Sequence, residues 1–111
     1  MTAMHRELAA GRWFELSLVE QMANIGSEIE RAISWRGRNE KISTTAFDRG
    51  LELLDLTIAD PRHRRRLREL VRVREVLADY FVFENLYGST DIAWRKYFHS
   101  FTYAVAIRRG R

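Results

Sequence analysis

The sequence predicts an all-α protein, an antiparallel, up-down four-helix bundle. One Pro and six Gly are all that interrupt its 111 residues, and no stretch alternates cleanly between apolar and polar β-type residues. Four segments instead carry apolar residues three and four positions apart, a spacing that places them on one face of a helix. At this length the chain is predicted to be a single domain, 1–111. A three-helix core with a peripheral fourth helix is the alternative architecture.

The first helix is predicted to run from about His5 to Trp35. Its apolar face comprises Phe14, Leu18, Met22, Ile25, Ile29 and Ile33. Gly11 and Gly26 lie on or beside this face and indicate close approach of a neighbouring helix, because each Gly costs up to ~1 kcal/mol relative to Ala. Ser43 or Thr44 is predicted to cap the second helix. The apolar face of that helix comprises Phe47, Leu51, Leu54 and Ile58.

The third helix is predicted to begin at Asp60 and Pro61, because Asp caps free amides and Pro tolerates the first helical position. It should run to about Asn85. Its core face comprises Leu67, Leu70, Val71, Leu77, Ala78 and Phe81. The fourth helix opens at Ser89 or Thr90. Its core face comprises Trp94, Tyr97, Phe98, Phe101 and Val105.

An Arg-rich run occupies the first half of the third helix. Six of its arginines lie opposite or beside the apolar face: Arg62, Arg64, Arg65, Arg66, Arg68 and Arg72. They crowd the positive end of the helix dipole, and only Glu69 and Glu75 are near enough in sequence to relieve their repulsion. Because clustered guanidinium groups at a helix N-terminus bind phosphate well, we expect a nucleic acid or another polyanion here. A solvated face and the acidic surface of a protein partner are the alternatives.

Two further residues of the third helix are predicted to have structural roles. Arg74 lies between Leu70 and Leu77 on the core face, where a buried Arg needs a carboxylate. Glu15, on the apolar face of the first helix, is its predicted partner. His63 lies near the core side and is predicted to be a packed residue.

Apolar residues outside the core faces predict a homo-oligomer. The predicted interface comprises Trp13, Leu16, Val73, Val76, Tyr80 and Phe83. A helix that is apolar on two sides is buried on two sides, and in so small a bundle the second side most simply meets another subunit. A symmetric assembly would repeat the Arg-rich run, so that several weak phosphate sites add as avidity.

No catalytic or metal-binding pattern stands out, and we expect a non-enzymatic protein without a cofactor. Cys is absent, and no Glu-x-x-His pair of a di-metal bundle is present. Arg95 and His99 resemble the Arg and His of HEPN-type ribonucleases at one residue less than their usual spacing. No apolar run is long enough to cross a membrane, and charges interrupt the N-terminal residues where a signal peptide would be apolar. These features predict a cytoplasmic protein.

Two segments carry a resemblance to a known family: Met22–Glu28 (MANIGSE) and Phe47–Ala59 (FDRGLELLDLTIA). They are similar to the Asn-Ile-containing helical turn and the Leu/Glu-rich helix of a bacterial four-helix-bundle family. That family includes the 23S rRNA intervening-sequence proteins and the Avd-like accessory proteins of diversity-generating retroelements. The resemblance, over roughly 18–77, implies a homopentameric ring, no catalysis, and a basic surface that serves nucleic acid or a reverse transcriptase. It also implies packing roles for Asn24, Ile25, Gly50, Leu51 and Leu53.

Together these features predict a non-enzymatic, oligomeric accessory protein that binds the phosphates of RNA or DNA. Little base readout is expected, because no groove-reading motif is visible. A protein–protein adaptor that uses its outward apolar faces, or a HEPN-like ribonuclease, is the alternative.

Overall fold

A computed structural model describes residues 11–109, and the regular structure in this range is entirely helical. Four long α-helices follow one another: α1 Leu18–Trp35, α2 Glu40–Ala59, α3 Leu67–Phe81 and α4 Asp91–Arg109. A 3₁₀ helix, Pro61–Arg66, joins α2 to α3. The central helix is α1, which packs extensively against α2 and α4, while α2 also contacts α3. The predicted all-α class is therefore confirmed for these residues, and none of their helices combines the length and hydrophobicity needed to cross a membrane.

The first long helix begins later than the sequence predicted. The predicted start at His5 lies outside the described residues, and a turn at 14–16 interrupts the chain. Ser17 and Glu20 then form a capping box: Ser17 Oγ accepts from the Glu20 amide at 3.2 Å, and Glu20 accepts from the Ser17 amide at 2.9 Å. This motif starts α1 at Leu18. Phe14, predicted to belong to the core face, consequently lies in the turn and is exposed.

The core forms where the apolar faces of the four α-helices meet. Its buried members include Met22, Ile25, Ile29, Ile33, Phe47, Leu54, Leu70, Leu77, Trp94 and Phe98. Gly26 permits the close approach of α4, because a Cβ on Gly26 would lie 2.7 Å from Phe98 Cβ. The predicted role of Gly26 is thus confirmed. Gly11 has no such neighbour within 4 Å, so its predicted role is wrong for the described residues.

The second helix begins one turn earlier than predicted. Asn39 caps α2, and its side chain accepts a hydrogen bond from the Ile42 amide at 3.1 Å. Ser43 instead lies within the helix, where its buried hydroxyl donates to the Ala32 carbonyl at 2.7 Å. The prediction that Ser43 or Thr44 caps the helix was wrong, because a hydroxyl group can donate its hydrogen bond to a neighbouring helix as well as accept one at a helix N-terminus.

The residues with packing roles implied by the family resemblance divide into three groups. Ile25 and Gly50 are buried, and Leu51 and Leu53 are half-buried against the core. Asn24 is exposed and donates to the Glu20 carbonyl one turn earlier in α1 at 2.8 Å. Asn24 therefore does not pack in the core.

The third helix turns only part of the predicted face to the core: Leu70 and Leu77 are buried, as predicted. Leu67 and Val71 are exposed, whereas Val73 is buried. Apolar stripes flank the Leu70–Leu77 line on both sides, so periodicity alone does not decide which stripe faces inward. In the fold, Val73 and Val76 face α4 across a shared groove, and the stripe of Leu67 and Val71 is left outside.

The predicted oligomer-interface residues lie mostly inside the monomer. Trp13 is buried, and its Nε1 donates to Thr57 Oγ1 at 3.0 Å. Val73 is buried as well, and Leu16, Val76 and Tyr80 are half-buried against the core. The outward placement predicted for Trp13 and Val73 is therefore wrong. Phe83 is exposed, as predicted.

The connection from α3 to α4 agrees with the prediction at the start of α4 but not at the end of α3. The third helix ends at Phe81 rather than near Asn85, which adopts a left-handed conformation with φ 56°. Gly88 also has a positive φ, 68°, which Gly adopts without strain. Thr90, one of the two predicted caps, accepts a hydrogen bond from the Ala93 amide at 3.1 Å.

Replacing Gly26 with Ala should destabilise the fold. The added Cβ would overlap the Phe98 side chain on α4, and overpacking of this kind costs roughly 1–3 kcal/mol, which outweighs the gain of about 1 kcal/mol in helix propensity. Urea unfolding measures the change in free energy. Gly11→Ala, with open space around it, is the matched control and should not destabilise. Equal stabilities of Gly26→Ala and the wild type would contradict the tight packing.

Candidate nucleic-acid interface

A buried carboxylate starts the Arg-rich run. Asp60 is 4% exposed, and its Oδ1 accepts from the Arg62 amide at 3.0 Å. The Arg62 guanidinium folds back onto the same carboxylate, with Nη2 2.6 Å from Oδ2, and also donates to the Leu16 carbonyl at 2.7 Å. The predicted start at Asp60 and Pro61 is thus confirmed, although the element it starts is the 3₁₀ helix rather than an α-helix.

The same carboxylate faces two buried polar side chains. His63 Nε2 lies 3.4 Å from Asp60 Oδ2 and 2.9 Å from Gln21 Oε1. Gln21 Nε2 donates to the Trp13 carbonyl at 3.0 Å. His63 is therefore a packed residue, as predicted. The buried position of Gln21 was not predicted from the sequence, although Gln21 lies three residues after Leu18 and four before Ile25, on the apolar face of α1.

These contacts shift the pKa values of both titratable groups. Hydrogen bonds from Arg62 lower the pKa of Asp60 from 3.8 to about 2, because they favour the ionised carboxylate. Burial lowers the pKa of His63 below its usual 6.5, which keeps the imidazole neutral at physiological pH. The charge of this cluster therefore resides in the Asp60–Arg62 ion pair.

The six arginines of the predicted site fall into two groups. Arg62 is held by Asp60, Arg66 donates to Glu69 at 2.7 Å, and Arg72 stacks over the Tyr87 ring with its Cζ 5.2 Å from the ring centroid. The other three are exposed and have no side-chain partner within residues 11–109: Arg64, Arg65 and Arg68. We call these three residues the basic face.

The basic face lies at the junction between the 3₁₀ helix and α3. The predicted crowding of Arg62, Arg64, Arg65 and Arg66 in the first turn of an α-helix is wrong, because α3 begins only at Leu67. These four arginines lie in the 3₁₀ helix, and no side chain caps the start of α3. The backbone under the basic face is nevertheless fixed, since the Asp60 cluster anchors one end and the buried Leu70 the other.

Arg74 does not occupy the predicted position. Its Nε lies 2.5 Å from Asp55 Oδ1, and its side chain is 40% exposed. The pairing joins α3 to α2, so the ion pair is structural, as predicted, but the partner is not Glu15. Glu15 lies exposed in the turn before α1, because that turn ends the apolar periodicity on which the prediction depended.

Arg95 and His99 share a groove of about 590 Å³ between α1 and α4. Arg95 is engaged there by Glu30, with Nε 2.8 Å from Oε1 and Nη2 3.1 Å from Oε2. His99 is exposed and stacks on Tyr103. The groove therefore presents a neutralised guanidinium group beside the imidazole. No trio of His, Asp or Glu able to hold a metal occurs in the part of the chain that the structure describes.

Val71 of α3 and the loop after α3 carry an exposed apolar surface that the sequence did not predict. Its exposed apolar residues are Val71, Val82, Phe83, Leu86 and Tyr87. All of them except Val82 line a groove of about 920 Å³. Of these residues, only Phe83 belonged to the predicted interface; Val71 had been assigned to the core face of the third helix, and the others had been given no role.

Comparison of the chain with protein-family models, with curated proteins and with solved structures gave no match. The resemblance to the intervening-sequence and Avd-like family accordingly stays a prediction.

Asp60→Asn should lower the free energy of unfolding at neutral pH by on the order of 2 kcal/mol. This is the stabilisation that corresponds to lowering the pKa of the carboxyl group from 3.8 to about 2 on folding. The wild-type carboxylate contributes this stability above pH 3.8, and the contribution disappears as the pH falls toward 2. The difference between wild type and variant in urea unfolding should therefore shrink between pH 5 and pH 2.

Asp48→Asn, a substitution on the exposed side of α2, is the control and should have little effect at either pH. A deficit of Asp60→Asn that persists unchanged at pH 2 would show that the ion pair with Arg62 is not its source.

Proposed function

We propose that the protein is a non-enzymatic nucleic-acid-binding protein that holds phosphate groups on the basic face. One observation carries this proposal. Arg64, Arg65 and Arg68 are exposed and have no side-chain partner among the described residues, although Arg62 and Arg66 nearby are each paired with a carboxylate. Three unpaired guanidinium groups within five residues repel one another, and an external polyanion relieves that repulsion.

The chemistry of the basic face fits phosphate. A guanidinium group offers a planar set of donors that bind phosphate oxygens in pairs. The backbone that carries these groups is fixed before binding by Asp60, Arg62 and His63, so less ordering accompanies the contact. Arg66 and Arg72 lie close in sequence and add positive potential. Contacts of this kind recognise the backbone of RNA or DNA rather than its bases.

The finer architecture and the assembly form part of the same proposal. Residues 36–39 make a short connection between α1 and α2, which pack extensively on each other, and this supports an antiparallel, up-down arrangement. A homo-oligomer, of which a pentamer is one form, would repeat the basic face and strengthen weak phosphate contacts by avidity. The resemblance of Met22–Glu28 and Phe47–Ala59 supports a structured RNA or a reverse transcriptase as the partner.

A protein–protein adaptor is the second candidate. It is favoured by the exposed apolar residues Phe83, Leu86 and Tyr87, which are unusual on a surface without a partner. An adaptor would retain its function when the basic face is neutralised, whereas a phosphate-binding protein would lose it.

Replacing Arg64, Arg65 and Arg68 with Ala should weaken binding to a labelled structured RNA and to a DNA duplex of equal length. Fluorescence anisotropy measured over a range of salt concentrations gives both affinity and salt slope. Loss of three phosphate contacts should lower affinity by at least roughly tenfold and reduce the slope of log K against log salt by up to about 3. Circular dichroism should show unchanged helicity, because all three side chains are exposed.

The matched control removes the same charge elsewhere, by replacing Arg12, Arg31 and Arg108 with Ala; these arginines are also exposed. It should reduce the affinity much less. Equal losses in the two variants would show that net charge alone drives binding. The absence of wild-type binding at low salt would exclude the proposed function.

A further inference from the structure

We propose that α3 binds the α3 of a second copy of this chain, antiparallel, through an apolar stripe. The stripe comprises Leu67, Val71, Ala78 and Val82. Spacings of four, seven and four residues place these side chains on one side of the helix. Val71 is 47% and Val82 59% exposed, whereas Val73 on the opposite side of the same helix is buried. An α-helix that is apolar on two sides is ordinarily covered on both.

A fixed loop extends the stripe at its C-terminal end. Phe83 is 71% and Leu86 82% exposed. The buried Asp79 carboxylate accepts hydrogen bonds from the Leu86 amide at 2.9 Å and the Tyr87 amide at 3.1 Å. Asn85 completes the loop by accepting from the Ser89 amide at 2.7 Å. The hydrogen bonds of the loop backbone therefore fix large apolar side chains in exposed positions. Exposed apolar side chains of this kind are typical of an interaction surface.

The charges along the stripe identify a second copy as the occupant. The N-terminal end carries Arg65 and Arg68, and the C-terminal end carries Glu84; none of the three has a side-chain partner within residues 11–109. Glu75 and Glu84 also line the groove beside the stripe, so a phosphate chain would be repelled there. Antiparallel pairing of two copies places each basic end over the other's acidic end, whereas parallel pairing would bring like charges together.

The stripe is also self-complementary in length. Its midpoint falls between Arg74 and Glu75, so antiparallel pairing about that point sets Leu67 opposite Val82 and Val71 opposite Ala78. The same register places Arg65 level with Glu84. A surface whose two halves match in this way forms an isologous, two-fold symmetric interface. The dimer goes beyond phosphate binding and shares Arg65 and Arg68 with the basic face.

The mass of the wild type in light scattering should rise with concentration from 13.1 kDa toward twice that value. The double variant Val71→Asp, Val82→Asp should weaken the dimer by at least roughly tenfold and keep its helicity, because both side chains are exposed. Ile92→Asp is the matched control: it replaces a 75% exposed apolar residue on α4, outside the stripe, and should leave the mass unchanged.

Exchange of charges tests the antiparallel register. Arg65→Glu and Glu84→Arg should each weaken the dimer, and the two together should restore it, which no purely local effect on the fold would produce. Because the chain has no Cys, one introduced thiol provides a second test. Glu75→Cys, close to the two-fold axis, should be joined to its own copy by a short bismaleimide, and Ile92→Cys should not.

Four outcomes would overturn the dimer. They are a monomeric wild type at every concentration, an oligomer that Val71→Asp with Val82→Asp leaves intact, a charge exchange that fails to restore association, and equal cross-linking of the two Cys variants. The phosphate proposal can fail independently, because Val71 and Val82 are not part of the basic face. The Val71→Asp, Val82→Asp variant keeps all three arginines of the basic face, so its binding to the labelled RNA tests the phosphate contacts separately from the dimer.

Discussion

The Asp60 carboxylate determines where the third helix lies. It is almost fully buried, accepts hydrogen bonds from Arg62, and faces Gln21 of α1 and His63 of the 3₁₀ helix. A buried charge is tolerated only when its hydrogen-bonding capacity is satisfied. The end of α2, the first turn of α1 and the start of the Arg-rich run are thus held together at one point. The orientation of α3, and hence both of its exposed surfaces, depends on this cluster.

The arginines of the chain have different roles, which depend on their positions in the fold. Arg62, Arg74 and Arg95 each join two parts of the chain through a carboxylate or a backbone carbonyl. Exposed ion pairs of this kind contribute little stability individually, but they neutralise the guanidinium groups involved. In the basic face, by contrast, a short segment of fixed backbone presents to solvent three guanidinium groups without a side-chain partner among the described residues.

The third helix has a different partner on each side. Val73 and Val76 pack toward α4, and Leu70 and Leu77 occupy the core. The outer stripe, with Leu67 at one end and the Asp79-supported loop at the other, is an apolar surface that the described residues leave exposed. The proposed phosphate binding at the basic end and the proposed self-association along the stripe share Arg65 and Arg68 but otherwise use different side chains. Two basic ends in one particle would also increase avidity for a long polyanion.

The sequence by itself determined that the protein is helical, which residues of α1 form its core face, and that a helix starts at Asp60 and Pro61. These properties depend on spacing and capping within a few residues, so that local pattern is sufficient. It also predicted the close approach at Gly26 and the packed position of His63. The predicted start of α1 was too early. The apolar spacing extends back to Phe14, but the capping box of Ser17 and Glu20 begins the helix at Leu18.

Only the tertiary structure decided which apolar stripe of α3 faces inward, which arginines remain unpaired, and which carboxylate meets Arg74. Each of these depends on residues far apart in sequence: Val73 meets α4, Arg62 meets the Leu16 carbonyl, and Asp55 meets Arg74. Two stripes of equal hydrophobicity are indistinguishable on a helical wheel. The two stripes differ in burial because only one of them faces α4 in the fold. Likewise, an arginine is paired or unpaired according to the carboxylates that the fold brings near it.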